Sequence, residues 1–204
     1  MGTKPRLIAF GCSYTYGQYL AEDNPSDLAW PKLLATLLDR EVVNKAHPGS
    51  SNLEILHTVL SFPFEEEDLV VIGWTHINRD CIFDKDKNIS VGIWSDRRTL
   101  EAWFYTHSEY DLSVRSGLYM HHAELFLDSL NLKQYHFQAL GAVDIVDRIV
   151  NAFTQPKPIY TNKLKHQIKK TILFKKDLAL DNAHPGIKSH RHAAQQLYKI
   201  INAK

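Results

Sequence analysis

Hydrophobic residues along the chain fall into two alternating patterns: short unbroken runs, and longer stretches in which they return every three or four positions. The runs are Leu7-Ile8-Ala9-Phe10, closed by Gly11, and Leu69-Val70-Val71-Ile72, closed by Gly73 and Trp74, with a weaker one at Glu41-Val42-Val43-Asn44-Lys45-Ala46. Runs too short for helices and ended by glycine read as buried strands of a parallel sheet. Between them Leu28, Trp30, Leu33, Leu34, Leu37 and Leu38 recur at helical spacing, with Ser26 or Asp27 as N-cap. Leu53, Ile55, Leu56, Val59 and Leu60 form a second such set, entered through the turn Pro48-Gly49-Ser50 and capped by Ser51 or Asn52. Strand, helix, strand, helix, strand is the order of an α/β chain whose doubly wound parallel sheet is covered on both faces.

From Asp84 to about Leu112 the pattern blurs. Charges alternate at Asp84-Lys85-Asp86-Lys87, and Trp94, Trp103, Phe104 and Tyr105 show no clean period. This predicts an irregular loop-and-helix insertion, about 84–112, walling or covering the strand tips. Residues Val114 to about Phe153 read as helical, around Leu125-Phe126-Leu130 and from Val143 to Val150, until Pro156-Lys157-Pro158 breaks them and Ile159-Tyr160 begins a late strand. The lysines between Lys163 and Lys176 read as the solvated face of a helix in preference to a phosphate patch. Ala193, Ala194, Leu197, Ile200 and Ile201 line one face of a last helix that packs on the sheet. No internal repeat or linker divides the chain, so one domain over 1–204 is expected.

Composition narrows the partners. Lys and Arg number 24 against 23 Asp and Glu, a formal net charge of +1, so no global field recruits nucleic acid or an anionic membrane. The apolar run behind Lys4 and Arg6 is too short for a secretory signal, and no stretch approaches the roughly 20 apolar residues that span a bilayer. A soluble, cytoplasmic protein is expected. Two cysteines, Cys12 and Cys81, are too few for a disulfide scaffold or a thiolate zinc site. The 11 histidines are scattered, His121-His122 point different ways, and no set of histidines with a carboxylate stands out as a ligand cluster, so no metal and no cofactor is expected. Trp74, Trp94 and Trp103 serve either as core aromatics or as the floor of a sugar or acyl pocket.

Two stretches carry chemistry. Ser13 follows Gly11-Cys12 at the end of the first strand, where ligands collect in parallel sheets. Near the other end, Asp181 and His184 sit three residues apart, directly before Pro185, which disfavours helical geometry at His184 and suits the first position of the last helix. A nucleophilic serine needs a base within hydrogen-bond reach, and the base needs a partner that fixes its tautomer. Ser13, His184 and Asp181 have the right chemistry for those parts.

In these blocks the chain resembles the SGNH (GDSL-like) hydrolase superfamily. Gly11-Cys12-Ser13 stands where that family has a Gly-Asp-Ser-type turn, with Cys12 in the Asp position, and Asp181-Asn182-Ala183-His184-Pro185 matches its Asp-x-x-His-Pro block. Gly49 matches the glycine after strand two whose N–H helps form an oxyanion hole. The third block departs: Gly73-Trp74-Thr75-His76-Ile77-Asn78 places Thr75 where the family has the oxyanion-hole Asn, leaving Thr75 or Asn78 as the further donor. The stretch Phe10 to Gly17, with Ala29-Trp30-Pro31 and Pro48 to Asn52, is similar to SGNH-like proteins of tailed bacteriophages and some bacteria. The resemblance implies a flavodoxin-like three-layer sandwich and a serine esterase acting on a small O-acyl ester, acetyl-type and carried on a carbohydrate, with Ser13, His184 and Asp181 as catalytic residues. Losing an oxyanion donor lowers serine-hydrolase rates by about 10²–10³-fold, so a weak or inactive glycan-binding relative, virion-associated or not, is the alternative, with acyl transfer a third.

Overall fold

The computed structural model describes residues 4–83, 88–92, 94–140, 166, 168 and 175–203. In chain order its elements are β1 (Arg6–Gly11), α1 (Ser13–Tyr16), α2 (Trp30–Leu37), β2 (Glu41–Asn44), α3 (Asn52–Leu60), β3 (Leu69–Trp74), β4 (Asp80–Phe83), β5 (Asn88–Val91), α4 (Arg97–Thr106), α5 (Glu109–Ser129), β6 (Lys133–Gln138) and α6 (Ile187–Ile201). The three apolar runs become β1, β2 and β3. With β6 they form a parallel sheet in the order β2-β1-β3-β6.

Because strand side chains alternate between faces, each run feeds two cores. Leu7, Ala9, Leu69, Val71 and Phe137 meet Trp30, Leu34 and Ala35 of α2 and Ala193, Ala194, Leu197 and Ile201 of α6. Ile8, Phe10, Val70, Ile72 and Trp74 meet Ile55, Leu56 and Val59 of α3 and Met120, Ala123 and Leu127 of α5. Each fully buried aliphatic or aromatic side chain contributes about 1.5–3 kcal/mol relative to exposure. The result is the expected three-layer α/β arrangement.

Three elements differ from the sequence pattern. The first helix starts at Trp30, not behind Ser26 or Asp27, which lie in a separate 3-10 turn at Pro25–Leu28; Ala29 is its N-cap. Pro31 sets that start, since its ring would strike a carbonyl four residues back and it has no N–H to give an earlier turn. The described part of the 84–112 stretch is more regular than expected: β5, paired antiparallel with β4 just ahead of the stretch, is followed by α4 and the start of α5. The predicted long helical region is interrupted by β6, whose residues Gln134, His136 and Gln138 are polar yet buried. These side chains find partners: Gln134 Nε2 donates to the Glu124 carbonyl and to Asp128, and the Trp74 indole N–H donates to His136 Nδ1 at 3.2 Å. A strand buried through hydrogen-bonded polar groups carries no apolar run. On the far side of β6 the His136 N–H donates to the His166 carbonyl at 3.1 Å and the Ile168 N–H donates to the His136 carbonyl at 2.7 Å. The helix read from Val143 to Val150, the strand at Ile159-Tyr160 and most of the 163–176 segment lie outside the described residues.

The sheet tips are held unusually close to α1. Gly11 and Gly73 pair in register at the carboxyl ends of β1 and β3. Thr15 sits against both: a Cβ on Gly11 would lie 2.2 Å from Thr15 Oγ1, and one on Gly73 would lie 2.7 Å from it and 3.1 Å from Phe137. Gly73→Ala is therefore expected to destabilise the fold by about 1–3 kcal/mol in urea denaturation, with Thr15→Ala in the same chain returning part of the loss.

Two buried imidazoles set an acid limit. His190 Nδ1 accepts the Trp30 N–H at the start of α2, tying α6 to α2. Burial pushes its pKa down to about 4, against the opposing carboxylate of Asp177, and burial with the nearby His166 pushes His136 down to about 3. Both are neutral in the fold, whereas an unfolded histidine protonates near pH 6.5. Their contribution is complete above about pH 6.5 and is lost as pH falls toward 4 for His190 and 3 for His136. The urea midpoint should fall across that window, and fall less in His190→Gln; an equal fall in both proteins would contradict this account.

Candidate active site

β1 ends at Gly11, and Cys12 follows in extended backbone as the N-cap of α1. The Cys12 carbonyl accepts from the N–H groups of Thr15 and Tyr16, both at 2.9 Å, so Ser13 becomes the first residue of a single helical turn. In that position its own N–H has no intrahelical acceptor. The turn stops at Gly17, left-handed at φ +85°, where a Cβ would lie 2.6 Å from that of Ala29. Ser13 is 3% exposed. Cys12 is fully buried with Leu7, Ala9 and Trp30, in keeping with a small core residue.

The distal block forms a tight turn closed by a bridge between Leu178 and Pro185. Within it Asp181 Oδ1 accepts the N–H groups of Ala183 and His184 at 3.1 and 3.0 Å. A side chain capping its own following backbone is a local preference of Asp, and it aims the other carboxylate oxygen at the ring of the residue three positions on. Asp181 Oδ2 is 2.5 Å from His184 Nδ1, and His184 Nε2 is 3.1 Å from Ser13 Oγ across a sequence gap of 171 residues. Burial raises the Asp181 carboxyl, but the His184 N–H, the imidazole and the Ala183 N–H outweigh it and hold the pKa at about 2. An anionic carboxylate opposite Nδ1 keeps the proton there and leaves the Nε2 lone pair facing the serine hydroxyl. Tyr14 and Tyr19 pack their rings 5.4 and 5.2 Å from that of His184.

The remaining predicted residues follow the carboxyl ends of β2 and β3. Gly49 lies in the turn after β2 at φ +85°, and two residues before it the His47 N–H donates to the Gly11 carbonyl at 3.1 Å. Thr75 directly follows β3 and is fully buried, and its hydroxyl has no partner among the described residues. Asn78 lies farther along, in the turn joining His76 to Arg79, with its N–H on His76 Nδ1. Among the described residues no hydrogen bond joins Gly49, Thr75 or Asn78 to Ser13 or His184, and no group of three or more His, Cys, Asp or Glu could hold a metal ion.

No protein-family model matches the chain, and no curated protein sequence does. Solved structures do. A protein assigned to the lipolytic G-D-S-L family of Desulfitobacterium hafniense aligns over 96% of this chain and 98% of its own, at 12% identity and a TM-score of 0.51. The acetyl xylan esterase Est2A of the rumen bacterium Butyrivibrio proteoclasticus aligns over 98% of this chain and 64% of its own, at 11% identity and a TM-score of 0.62. The psychrotrophic esterase EstA of Pseudoalteromonas aligns over 96% of both chains, at 12% identity and 0.51. The chain has the SGNH hydrolase fold.

Four residues that were not among the predicted site residues hold the segments of the candidate site in place. Asp177 caps α6 from outside, accepting the N–H groups of Lys188 and Ser189 at 2.9 and 2.8 Å and the Ser189 hydroxyl at 2.8 Å, so the Asp181 turn is fixed to the last helix. Gly186 makes room for it, since a Cβ there would lie 2.6 Å from the Asp177 carboxylate. Asn52, expected only as a possible cap, instead grips the Thr75 peptide from both sides: its Oδ1 accepts the Thr75 N–H at 2.9 Å, and its Nδ2 donates to the Thr75 carbonyl at 3.2 Å and to Ser116 Oγ at 3.1 Å. The cap of α3 is Ser51, which accepts the Glu54 N–H. Gln138 adds a second donor to the Thr75 carbonyl at 2.6 Å. Asp177 was readable only as an acidic residue ahead of a helix; the Asn52 and Gln138 contacts span long gaps and leave no local signal. Asn52→Ala leaves the buried Thr75 N–H unpaired and should cost about 1–3 kcal/mol of stability, measured by urea denaturation.

Proposed function

We propose that the protein is a serine hydrolase that cleaves a small O-acyl ester, of acetyl type, carried on a carbohydrate. The observation that carries this reading is the continuous hydrogen-bond chain from Ser13 Oγ through His184 to Asp181. Ser13 attacks the ester carbonyl while His184 Nε2 takes its proton, and the anionic Asp181 stabilises the imidazolium that results. The oxyanion of the tetrahedral intermediate receives the N–H groups of Ser13 and Gly49 and the hydroxyl of Thr75. Collapse expels the alcohol, which is protonated by His184, and water then attacks the acyl-enzyme by the same route in reverse.

Two further observations support the assignment. A buried hydroxyl without a partner is expensive, so the enclosed Thr75 Oγ1, on a peptide clamped by Asn52 and Gln138, favours Thr75 over Asn78 as the third donor. The solved structures of similar fold include acetyl xylan esterases and a carbohydrate esterase, which supports an ester of a carbohydrate as the substrate class.

Turnover of 4-nitrophenyl acetate tests this directly. Ser13→Ala should lower kcat by at least about 10³-fold. Thr75→Val should lower it by about 10²-fold with little change in KM, and Asn78→Ala should leave it near wild type. Equal turnover by wild type and Ser13→Ala would overturn the reading. A large loss in Asn78→Ala with none in Thr75→Val would move the oxyanion donor to Asn78.

A further inference from the structure

Beside the candidate oxyanion glycine lies a pair of side chains that the hydrolase reading leaves without a task. Arg79 ends the turn that follows β3, and Trp94 sits in a tight turn in which the Ser95 N–H donates to the Gly92 carbonyl at 2.8 Å and the Gly92 N–H to Ser95 Oγ at 3.1 Å. Gly92 lets the indole fold back over the backbone, since a Cβ there would lie 2.4 Å from the ring. The Arg79 guanidinium carbon lies 4.9 Å from the Trp94 ring centroid, a cation–π stack. On its other flank the indole approaches Gly49, with Cζ2 3.7 Å from where a Gly49 Cβ would be.

Both partners are incompletely satisfied. Arg79 is half-buried, and among the described residues it has no carboxylate partner and its Nη1, shut off from solvent, has no acceptor. A guanidinium donor buried without an acceptor is among the more expensive features a surface can keep. Trp94 is 47% exposed, unlike Trp74, which is buried in the core. The pair thus offers one apolar aromatic face and one unmatched planar cation. It stands beside Gly49, at the carboxyl ends of β2 and β3, where parallel α/β sheets bind ligands.

We infer that Arg79 and Trp94 form the subsite for the alcohol side of the substrate, and that this alcohol is an anionic sugar whose ring packs on the indole and whose carboxylate pairs with the guanidinium. The inference rests on the hydrolase reading for its place in a substrate. The fork of the guanidinium matches a carboxylate in a way a point charge does not, and the indole supplies the contact area that a lone cation lacks. A sugar ring packed on the half-exposed indole changes the environment of Trp94.

The test is binding, not turnover, of sugars that carry no ester. Wild-type protein is titrated with methyl glucuronide and with methyl glucoside, followed by calorimetry and tryptophan fluorescence. The glucuronide should bind at least about tenfold more tightly than the neutral glucoside, the gain expected from a charge-assisted pair. Arg79→Gln should remove that preference, Arg79→Lys should retain only part of it, and Trp94→Phe should lose the fluorescence change; circular dichroism checks that each variant is folded. Equal affinity of wild type for the two sugars, or an undiminished preference in folded Arg79→Gln, would overturn the inference. If wild type hydrolyses 4-nitrophenyl acetate but does not prefer the glucuronide, the subsite falls and the hydrolase stands. If it prefers the glucuronide through Arg79 but cleaves no ester, the subsite stands as a binding site and the hydrolase reading falls.

Discussion

The arrangement depends on how closely one helical turn approaches the ends of two strands. Thr15 of α1 packs against the backbone of Gly11 and Gly73, positions paired across β1 and β3, where no side chain would fit. That contact presses α1 onto the sheet tips and so fixes where Ser13, two residues earlier, can stand. A side chain at either glycine would lift the turn and carry the serine with it. The buried Thr15 hydroxyl has no hydrogen-bond partner among the described residues, a cost the close approach imposes.

The opposite end of the chain reaches the same spot through a separate set of constraints. Asp177 ties the segment ahead of α6 to the first turn of that helix, the Leu178–Pro185 bridge closes the loop, and Asp181 caps the peptide that carries His184. The Leu180 N–H donates to the Tyr19 carbonyl, joining this loop to the segment after α1. Each contact is modest alone, but together they leave the imidazole little freedom. A base that needs no reordering on attack is how positioned groups lower a barrier.

Polarity in this fold is placed in the interior as well as at the site. β6 sends Gln134 and His136 into the layer beneath α5, and Gln138 reaches Thr75. Such networks stay buried only if their members are satisfied, and here they connect the interior to the third loop of the candidate site. Their price is visible in sequence terms, because β6 lacks the apolar run by which β1 and β3 are recognised. The β4–β5 hairpin escaped notice for a related reason: its strands are four residues each, with Ile82, Phe83 and Ile89 exposed, so no clean alternation marks them.

By itself the sequence determined what is local. Runs of apolar residues named β1 and β3, helical spacing named α3 and α6, and residue type with short spacing singled out Ser13 and the Asp181–His184 turn. Those features follow from interactions within a few residues, which a chain carries wherever it folds. Tertiary structure decided the rest. It brought Ser13 within 3.1 Å of an imidazole 171 residues away, made Asn52, one of two candidate caps, the clamp on Thr75 while Ser51 caps α3, and stacked Arg79 on Trp94 beside Gly49. Sheet order and the close packing of α1 set those distances, and no short-range preference encodes a contact between segments that meet only once the whole sheet is assembled.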